Sequence, residues 1–322
     1  MKNLCCKNCA GTMIINASGM TAVCPYCGTR YTLNHEDTDY YKNFYQQMNR
    51  FLSGSESDRE RQLKADELWE NARQDAFVCT DGRSVDVKWM HKQPFRGGEM
   101  LVARKNIVFH FFDGGAFAER FRRTVSFLDY PSADTRKLSQ FFPNVIGGFE
   151  LMDGSCLLVV SKDMDEYPLS LFGQLGGRHV AWIISRMENL CCVLEYNSLV
   201  HPKISIDTLF INPYTHQACL YGGWWEAAKN NSLSADGSRV LTTAENLTGL
   251  RNTAANLLGY TSSKDVRANE DVPKALADFI SSKPMSNAYD DFAYWDDMLI
   301  KAYGERKFMN LSTSDGQIYG KE

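Results

Sequence analysis

One stretch carries most of the information about the fold: residues 199–225 read LVHPKISIDTLFINPYTHQACLYGGWW. Apolar runs on both sides of a Pro-containing turn predict a strand, a turn and a second strand that ends in a glycine corner. A long helix is predicted just before this stretch, from His179 to Asn197, because apolar residues recur there at helical spacing. Its inward-facing residues are Val180, Ile183, Met187, Leu190, Cys191 and Leu194.

This arrangement resembles the catalytic-loop and metal-loop region of protein kinases. The shared features are the long helix, the Val200-His201 pair, a short loop, and the strand–turn–strand that ends in the glycine corner. The resemblance covers residues 76–310, but it is strong only around the quoted stretch. It implies an α+β fold in which a β-rich lobe is followed by a mainly helical lobe.

Patterns on both sides of the quoted stretch agree with a bilobal domain. Strands are predicted at 84–89, 100–103 and 106–112, and a hairpin at 148–151 and 156–160. A helix between them is indicated by the stripe Phe117, Phe121, Val125 and Leu128. Further helices of the second lobe are predicted around 247–258, 272–276 and 291–295.

The residues that perform phosphoryl transfer in kinases are missing. That reaction needs a carboxylate in the catalytic loop to accept the substrate proton, and an Asn and an Asp to hold magnesium. Lys203 and Thr208 stand at the carboxylate and Asn positions, and the metal loop reads Tyr221-Gly222-Gly223-Trp224. Asp207 lies one place too early to replace the Asn. Magnesium requires oxygen ligands, and these positions supply no carboxylate.

The predicted nucleotide-binding side is equally incomplete. Arg96-Gly97-Gly98 is more typical of a hairpin turn than of a phosphate-binding loop, and Lys105 precedes its strand instead of lying on it. Glu119 is interpreted as a solvated charge. His201, the structural histidine of the family, is assigned a scaffold role. The sequence therefore predicts a pseudokinase that acts as a protein-interaction scaffold or allosteric regulator.

Two other functions remain open. An unorthodox kinase or nucleotide transferase could recruit Asp163, Asp165 and Glu166, although such a polar cluster is usually a solvated loop. A nucleic-acid-binding role of the N-terminal segment would use its few basic residues, Lys2, Lys7 and Arg30, but it lacks a dense basic stripe. The pair Trp224-Trp225 could anchor a partner, but core packing is the favoured interpretation.

Five of the ten cysteines fall in the first 27 residues. Cys6 and Cys9 form one Cys-x-x-Cys pair, and Cys24 and Cys27 form a second. Two such pairs predict one structural zinc ion held by four thiolates. Short strands predicted at 12–15, 20–23 and 30–33 complete a zinc ribbon. A redox dithiol or a loop without metal is the alternative, and Cys5 is interpreted as a bystander.

The predicted domains are a zinc ribbon at 1–34, a helical connector at 35–75 and the kinase-like domain at 76–322. The connector contains an aromatic stripe, followed by a second helix that opens at Ser57. The stripe comprises Tyr41, Phe44, Tyr45, Met48, Phe51 and Leu52, and packing against the next domain is favoured over binding a partner.

The composition is that of an ordinary globular protein. The 322 residues include 35 Lys and Arg against 39 Asp and Glu, a net charge of −4, which disfavours a nucleic-acid footprint over the whole chain. No apolar run is long enough to cross a membrane, and the first residues do not form a secretory signal. We therefore expect a cytoplasmic protein with a protein partner and no membrane contact.

Overall fold

The computed structural model of the chain describes residues 13–15, 21–27, 30–32, 56–112, 114–133, 135–234, 237–304, 311 and 313–320. The chain divides into two compact units, Met1–Glu67 and Leu68–Glu322. The predicted boundaries of the ribbon and the connector are not tested by this division and stay predictions. None of the helices in the described ranges is long and apolar enough to cross a membrane.

The first unit contains a small antiparallel sheet. Its strands are β1 (Ile14–Ile15), β2 (Thr21–Val23) and β3 (Arg30–Thr32), in the order β1-β2-β3. They lie within the three short strands that the sequence predicts. Helix α1 (Glu56–Glu70) begins in this unit and ends in the second, and it confirms the predicted second connector helix. The predicted aromatic stripe lies outside the described residues.

A five-stranded antiparallel sheet dominates the first half of the second unit. Its strands are β6 (His91–Phe95), β7 (Gly98–Val102), β8 (Asn106–Phe111), β9 (Asn144–Glu150) and β10 (Cys156–Ser161), in the order β6-β7-β8-β10-β9. Helix α2 (Ala116–Ser126) connects β8 to β9 and buries Ala118 and Phe121. The predicted strands, helix and hairpin of this region are confirmed.

A separate hairpin adds a second small core to this half. Its strands are β4 (Arg73–Val78) and β5 (Ser84–Trp89). Val87 and Trp89 of β5 pack with Leu101, Val108 and Leu157 of the five-stranded sheet. Because side chains alternate across a strand, these residues lie on the sheet face opposite to Phe109 and Phe111, which belong to the main core.

The second half is mainly helical, as the kinase-like resemblance implies. Helices α3 (Gly177–Tyr196), α4 (Ala244–Leu257), α5 (Lys274–Ser281) and α6 (Ala288–Tyr303) pack together, and α7 (Asp315–Tyr319) lies near the C-terminal end. Short strands complete it: β11 (Tyr167–Pro168) with β13 (Leu209–Asn212) and β14 (Gln217–Leu220), and β12 (Leu199–Val200) with β15 (Ala228–Lys229).

Three buried ionisable residues join the helices of this half. Arg251 of α4 donates from Nη2 to both carboxylate oxygens of Asp291 on α6, at 2.9 and 2.8 Å. Its Nη1 lies 3.5 Å from Oε1 of Glu188 on α3. Burial, and then the charge of Asp291, raise the pKa of Glu188 to about 9. We call Glu188, Arg251 and Asp291 the charged triad; it links α3, α4 and α6.

Candidate functional site

The loop that follows β12 is anchored by a buried asparagine of α4. Asn246 accepts the backbone N–H of His201 on Oδ1 at 2.7 Å, and its Nδ2 donates to the carbonyl of Leu199 at 2.9 Å. Only 1% of Asn246 is exposed. Both bonds fix the backbone where the loop begins. Sequence reasoning placed this residue just outside the predicted central helix and gave it no role.

His201 holds the metal loop from within the core. Its Nε2 lies 2.9 Å from the carbonyl of Gly222, and the residue is fully buried. A carbonyl only accepts, so Nε2 carries the proton in this contact. Burial lowers the pKa of His201 to about 4, which keeps the ring neutral at pH 7. These contacts agree with the predicted scaffold role and leave the ring out of reach of a substrate.

Thr208 and Lys203 are committed to contacts with protein groups. The hydroxyl of Thr208 donates to the carbonyl of Lys203 at 2.6 Å. The Thr208 carbonyl accepts the N–H groups of Tyr221 and Gly222 at 3.0 and 3.1 Å. The Lys203 ammonium lies 3.6 Å from a carboxylate oxygen of Glu226 and is half-exposed. At neither position does a carboxylate face the cleft.

The two glycines of the metal loop allow close approach to the catalytic loop. A Cβ atom on Gly222 would lie 3.2 Å from both Cα and Cγ2 of Thr208. Gly223 has a φ of +80°, and a Cβ there would lie 2.8 Å from Cε1 of His201. Larger residues are therefore strained at Gly223 and tightly restricted at Gly222. An Asp in this corner would require the catalytic loop to move.

Aromatic side chains fill the space between the sheet, α2 and the metal loop. The Trp225 ring centroid lies 4.4 Å from that of Phe95, 5.3 Å from Phe111 and 5.8 Å from Phe109. The rings of Phe117 and Phe121 on α2 both lie 6.4 Å away. We call these six residues the cleft aromatic cluster. Trp225 is only 5% exposed.

The neighbouring Trp224 is completely buried. Its Nε1 donates to the carbonyl of Leu220 at 2.9 Å, and its ring meets that of His201 edge-on at 5.0 Å. The favoured prediction of core packing for the tryptophan pair is therefore confirmed, and the alternative of an exposed partner anchor is wrong.

The β6–β7 hairpin also contacts the catalytic loop, which we define as residues 201–208. Gln93 of β6 donates from Nε2 to the backbone carbonyl of Asp207 at 3.4 Å. Arg96 and Gly97 form the turn of this hairpin, because Phe95 pairs with Gly98. The interpretation of this segment as a hairpin turn is confirmed.

The acidic residues Asp163, Asp165 and Glu166, which an unorthodox enzyme could use, differ in their exposure to solvent. Asp163 is exposed, whereas Glu166 is 5% exposed. One oxygen of Glu166 accepts both the Asp163 N–H and the Tyr221 hydroxyl, each at 2.8 Å. The other accepts the Cys219 thiol at 3.4 Å. Burial raises the pKa of Glu166. Because both of its oxygens accept hydrogen bonds from neighbouring protein groups, they serve the local structure.

A buried lysine that sequence reasoning missed completes this network. The ammonium of Lys162 donates to the carbonyls of Arg104, Asp163 and Glu166 at 2.9, 2.9 and 3.0 Å. Burial lowers the pKa of Lys162 to about 8. The only sequence signal is a lysine that directly follows a strand of apolar residues.

A second polar array lies on the outer side of the sheet. His110 has Nε2 at 2.9 Å from the Ser155 hydroxyl oxygen and Nδ1 at 3.3 Å from Oε1 of Glu99. This order resembles a nucleophile, a base and an orienting carboxylate. The Ser155 hydroxyl, however, donates to Asp153 at 2.5 Å, and Ser155 is buried. The Ser155 proton is therefore used in the turn between β9 and β10, and the three side chains stabilise the local structure.

The predicted zinc ligands are only partly within the described residues. Cys24 is fully buried at the end of β2, and Cys27 ends the turn that follows it and is exposed. Cys6, Cys9 and Cys5 lie outside the described residues. Within the described ranges, no group of three or more His, Cys, Asp or Glu could hold a metal. A thiolate pair on a turn after a strand fits zinc, and the complete site stays a prediction.

Comparison with known proteins gives a likeness in structure alone. No protein-family model matches the sequence, and no curated protein matches it. Vaccinia-related kinase 3 matches with a TM-score of 0.49 and 14% identity, over 73% of this chain and 95% of that chain. A Toxoplasma gondii specific rhoptry antigen kinase domain matches with a TM-score of 0.46 and 10% identity, over 76% of this chain and 92% of that one.

A third kinase structure gives a similar result. The ROP18 kinase domain, in complex with AMP-PNP and sucrose, matches with a TM-score of 0.46 and 12% identity, over 81% of this chain and 93% of that chain. These low scores and identities describe a resemblance to a protein kinase-like fold only. They say nothing about the chemistry of the cleft.

Proposed function

We propose that this chain is a catalytically inactive, kinase-like protein that serves as a protein-interaction scaffold or allosteric regulator. The observation that carries the proposal is the cleft aromatic cluster, in which Trp225 follows the glycine corner and packs against the sheet and α2. A triphosphate needs charged and hydrogen-bonding partners. The cluster consists of apolar rings and offers no charged partner.

The surrounding polar contacts support the same proposal. Lys203 replaces the expected proton acceptor, and the hydroxyl of Thr208 is used within the loop. The glycine corner leaves little room for a carboxylate side chain at Gly222 or Gly223. A hard divalent cation would therefore lack anionic ligands at the predicted positions.

The zinc ribbon is part of this proposal. Cys6, Cys9, Cys24 and Cys27 would hold one zinc ion, which would supply the cross-link that so small a unit needs in order to fold. Four protein ligands leave no open coordination position, so the ion would be structural. A protein partner fits such a module better than nucleic acid, since its basic residues Lys2, Lys7 and Arg30 do not form a dense basic stripe. We place the protein in the cytoplasm, where its many thiols would stay reduced.

Nucleotide binding and phosphate transfer test the proposal directly. The full-length chain is incubated with labelled ATP and either Mg²⁺ or Mn²⁺, and its thermal unfolding is followed with and without nucleotide. We expect no transfer and no shift of the unfolding temperature. A nucleotide at a hundred times its Kd would stabilise the protein by about 2.7 kcal/mol, which is readily measured.

The variants Lys203→Ala and Asp207→Asn distinguish intrinsic activity from a contaminating kinase. Phosphate transfer by the wild-type chain that disappears in either variant would overturn the proposal and support an unorthodox kinase. Transfer that is unchanged in both variants, and also in Asp163→Asn, Asp165→Asn and Glu166→Gln, would be assigned to a contaminant, and the proposal would stand. Transfer that is lost in any of these three further variants would overturn it.

A further inference from the structure

The two edges of the five-stranded sheet differ in how they are protected. An edge strand presents unpaired N–H and C=O groups that can recruit another strand. At one edge, β6 contains Pro94, which has no N–H, and Gln93, which donates to the catalytic loop. At the other edge, β9 contains neither proline nor lysine and includes Gly147 and Gly148. The β9 edge is therefore the more accessible one.

The chain itself begins a ladder on the outer side of β9 and then leaves it. Cys79 forms an isolated antiparallel bridge with Leu151, and the Thr80 N–H donates to the Glu150 carbonyl at 3.0 Å. The chain then turns at Gly82 into β5. Among the residues that the structure describes, none continues this ladder along β9. The two contacts fix both the direction and the register of a strand that would continue it.

The backbone of Gly148 points outward in this register. The Glu150 carbonyl faces outward, because it accepts from Thr80, whereas the Leu151 N–H faces the hairpin and donates to Ser155 at 2.9 Å. In an antiparallel ladder, successive residues alternate between the two sides. Gly148 therefore directs both its N–H and its C=O away from β10, toward an incoming strand.

A cavity of about 690 Å³ adjoins this edge. It is lined by residues of α2, of the β4–β5 turn and of β9, among them Arg83, Glu119, Arg122, Gly148 and Glu150. A Cβ atom on Gly148 would lie 1.7 Å from Nη2 of Arg122. The absence of a side chain at Gly148 thus gives the guanidinium a place directly beside the exposed backbone.

Arg122 is the arginine of this cavity that pairs with no carboxylate among the described residues. Arg83 is paired with Asp81 at 2.6 Å. Within the described part of the chain, Arg122 forms no ion pair, although Glu119 and Glu150 line the same cavity. A guanidinium is well suited to bind a carboxylate in a bidentate manner. Because this guanidinium lies beside the Gly148 backbone and forms no ion pair with Glu119 or Glu150, an acidic group on the incoming strand can bind it.

We propose that the outer edge of β9 binds an extended segment of a partner protein, which adds as an antiparallel strand opposite Gly148 and places an acidic side chain against Arg122. The inference deepens the proposed scaffold function and rests on it for the existence of a partner. Directly opposed residues lie on the same sheet face, so the residue opposite Gly148 lies on the α2 side. Its two neighbours lie on the other face, where β-branched residues fit a strand best.

Selection of peptides on the full-length chain tests the proposal. The probe is a phage-displayed library of random decapeptides. We expect enrichment of sequences with one Asp or Glu between β-branched residues. A selected peptide should bind the Arg122→Glu variant at least about tenfold more weakly, as expected for a lost charge-assisted contact. Arg123→Glu changes the neighbouring exposed arginine, which does not line the cavity, and should bind within about twofold of wild type.

Amide hydrogen exchange provides a readout that charge alone would not change. On peptide binding, the outward-facing N–H of Gly148 should exchange at least about tenfold more slowly, because it enters a ladder. The inward-facing N–H of Leu151 is already bonded and should change little. Both variants should unfold at the wild-type urea concentration, since both side chains are exposed.

Three results would overturn the proposal: no enrichment of acidic peptides, equal binding to Arg122→Glu and Arg123→Glu, or protection that omits Gly148. None of these would affect the proposed lack of catalysis, which is judged from phosphate transfer. Conversely, phosphate transfer that depends on Lys203 would overturn the inactive-kinase proposal and leave peptide binding at β9 intact.

Discussion

The cleft aromatic cluster and the charged triad are both buried, but they are built from opposite kinds of side chain. The cleft, where the kinase resemblance predicts charged groups around a metal, contains six aromatic residues. A buried ionic group lies in the helical half, where Arg251 is shared between Glu188 and Asp291. A side chain can bind a metal only if a vacant position lies in front of its ligand atoms. The side chains of the triad are paired with one another instead. The comparison indicates that this chain uses its buried charges for structure.

The largest expected effect comes from breaking the charged triad. Arg251→Ala leaves the Asp291 carboxylate buried and without its bidentate partner, and it removes the guanidinium lying 3.4 Å from the centre of the Phe279 ring. We expect a loss of about 4 kcal/mol in the free energy of unfolding, since removing one partner of a buried ion pair costs about 3–5 kcal/mol. Urea denaturation of the two proteins measures this difference.

Arg239→Ala is the matched control for that experiment. Arg239 also pairs with a glutamate, Glu245, but its side chain is 55% exposed. Exposed pairs contribute about 0–1 kcal/mol, so this variant should be close to wild type. A loss below about 1 kcal/mol for Arg251→Ala would show that the triad contributes little to stability.

Truncation in the cleft aromatic cluster should have the next largest effect. Trp225→Ala removes a buried ring that contacts five phenylalanines and leaves a cavity, at an expected cost of about 3–4 kcal/mol. Phe127→Ala, at a position that is 67% exposed, serves as the control and should change stability by less than about 0.5 kcal/mol. Equal, small effects of the two changes would mean that the cleft is loosely packed.

The sequence predicted the elements whose patterns are strong. The apolar stripe of α3 and the strand of Ile107, Phe109 and Phe111 follow helical and strand periods, and both are present. Strands β4 and β6 were missed because their sequences, RQDAFV and HKQPF, are polar and one contains a proline. Their pairing depends on neighbouring strands, which local sequence does not reveal.

For the candidate site, the sequence identified the residues but not most of their contacts. The loss of carboxylates at Lys203 and Thr208 could be read directly, because a motif position is local. The roles of Lys162 and Asn246 could not, since their partners come from chain segments as distant as Arg104 and Leu199. Nor does the sequence reveal that Glu166, unlike Asp163, is buried.

A smaller effect concerns the protonation of the triad. The pKa of Glu188 is raised to about 9 in the folded chain, whereas a glutamate in an unfolded chain has a pKa of about 4.3. At pH values between these two pKa values, the folded state binds more protons than the unfolded state. The stability that Glu188 contributes is therefore fully present below the lower pKa and is lost as pH rises through the upper one. The slope is at most about 1.4 kcal/mol per pH unit.

Glu188→Gln isolates this contribution because the amide cannot titrate in that range. The free energies of unfolding of wild type and variant are compared from pH 5 to 9. All other titratable groups are the same in the two proteins, so their effects cancel in the difference. We expect the stability of the variant relative to wild type to rise with pH. Parallel curves would mean that Glu188 is ionised in the folded state, with Arg251 compensating its charge.

The smallest effect on the second unit should come from zinc removal, although the first unit should depend on it strongly. A chelator should abolish the structure of the first unit, because a segment with so small a core takes much of its folding free energy from the metal. The second unit holds both aromatic and ionic cores and should keep its unfolding temperature. Zinc content and circular dichroism, measured on the same samples, follow the two responses separately.

Cysteine variants separate the ligands from the spare thiol in that experiment. Cys9→Ser and Cys24→Ser should each reduce the bound zinc well below one ion per chain, since a serine hydroxyl is a poor substitute for a thiolate. Cys5→Ser should retain the full amount. If Cys5→Ser lost zinc while Cys9→Ser kept it, the ligand set would be misassigned. If chelation also lowered the unfolding temperature of the second unit, the stability of that unit would depend on the metal, which would contradict this prediction.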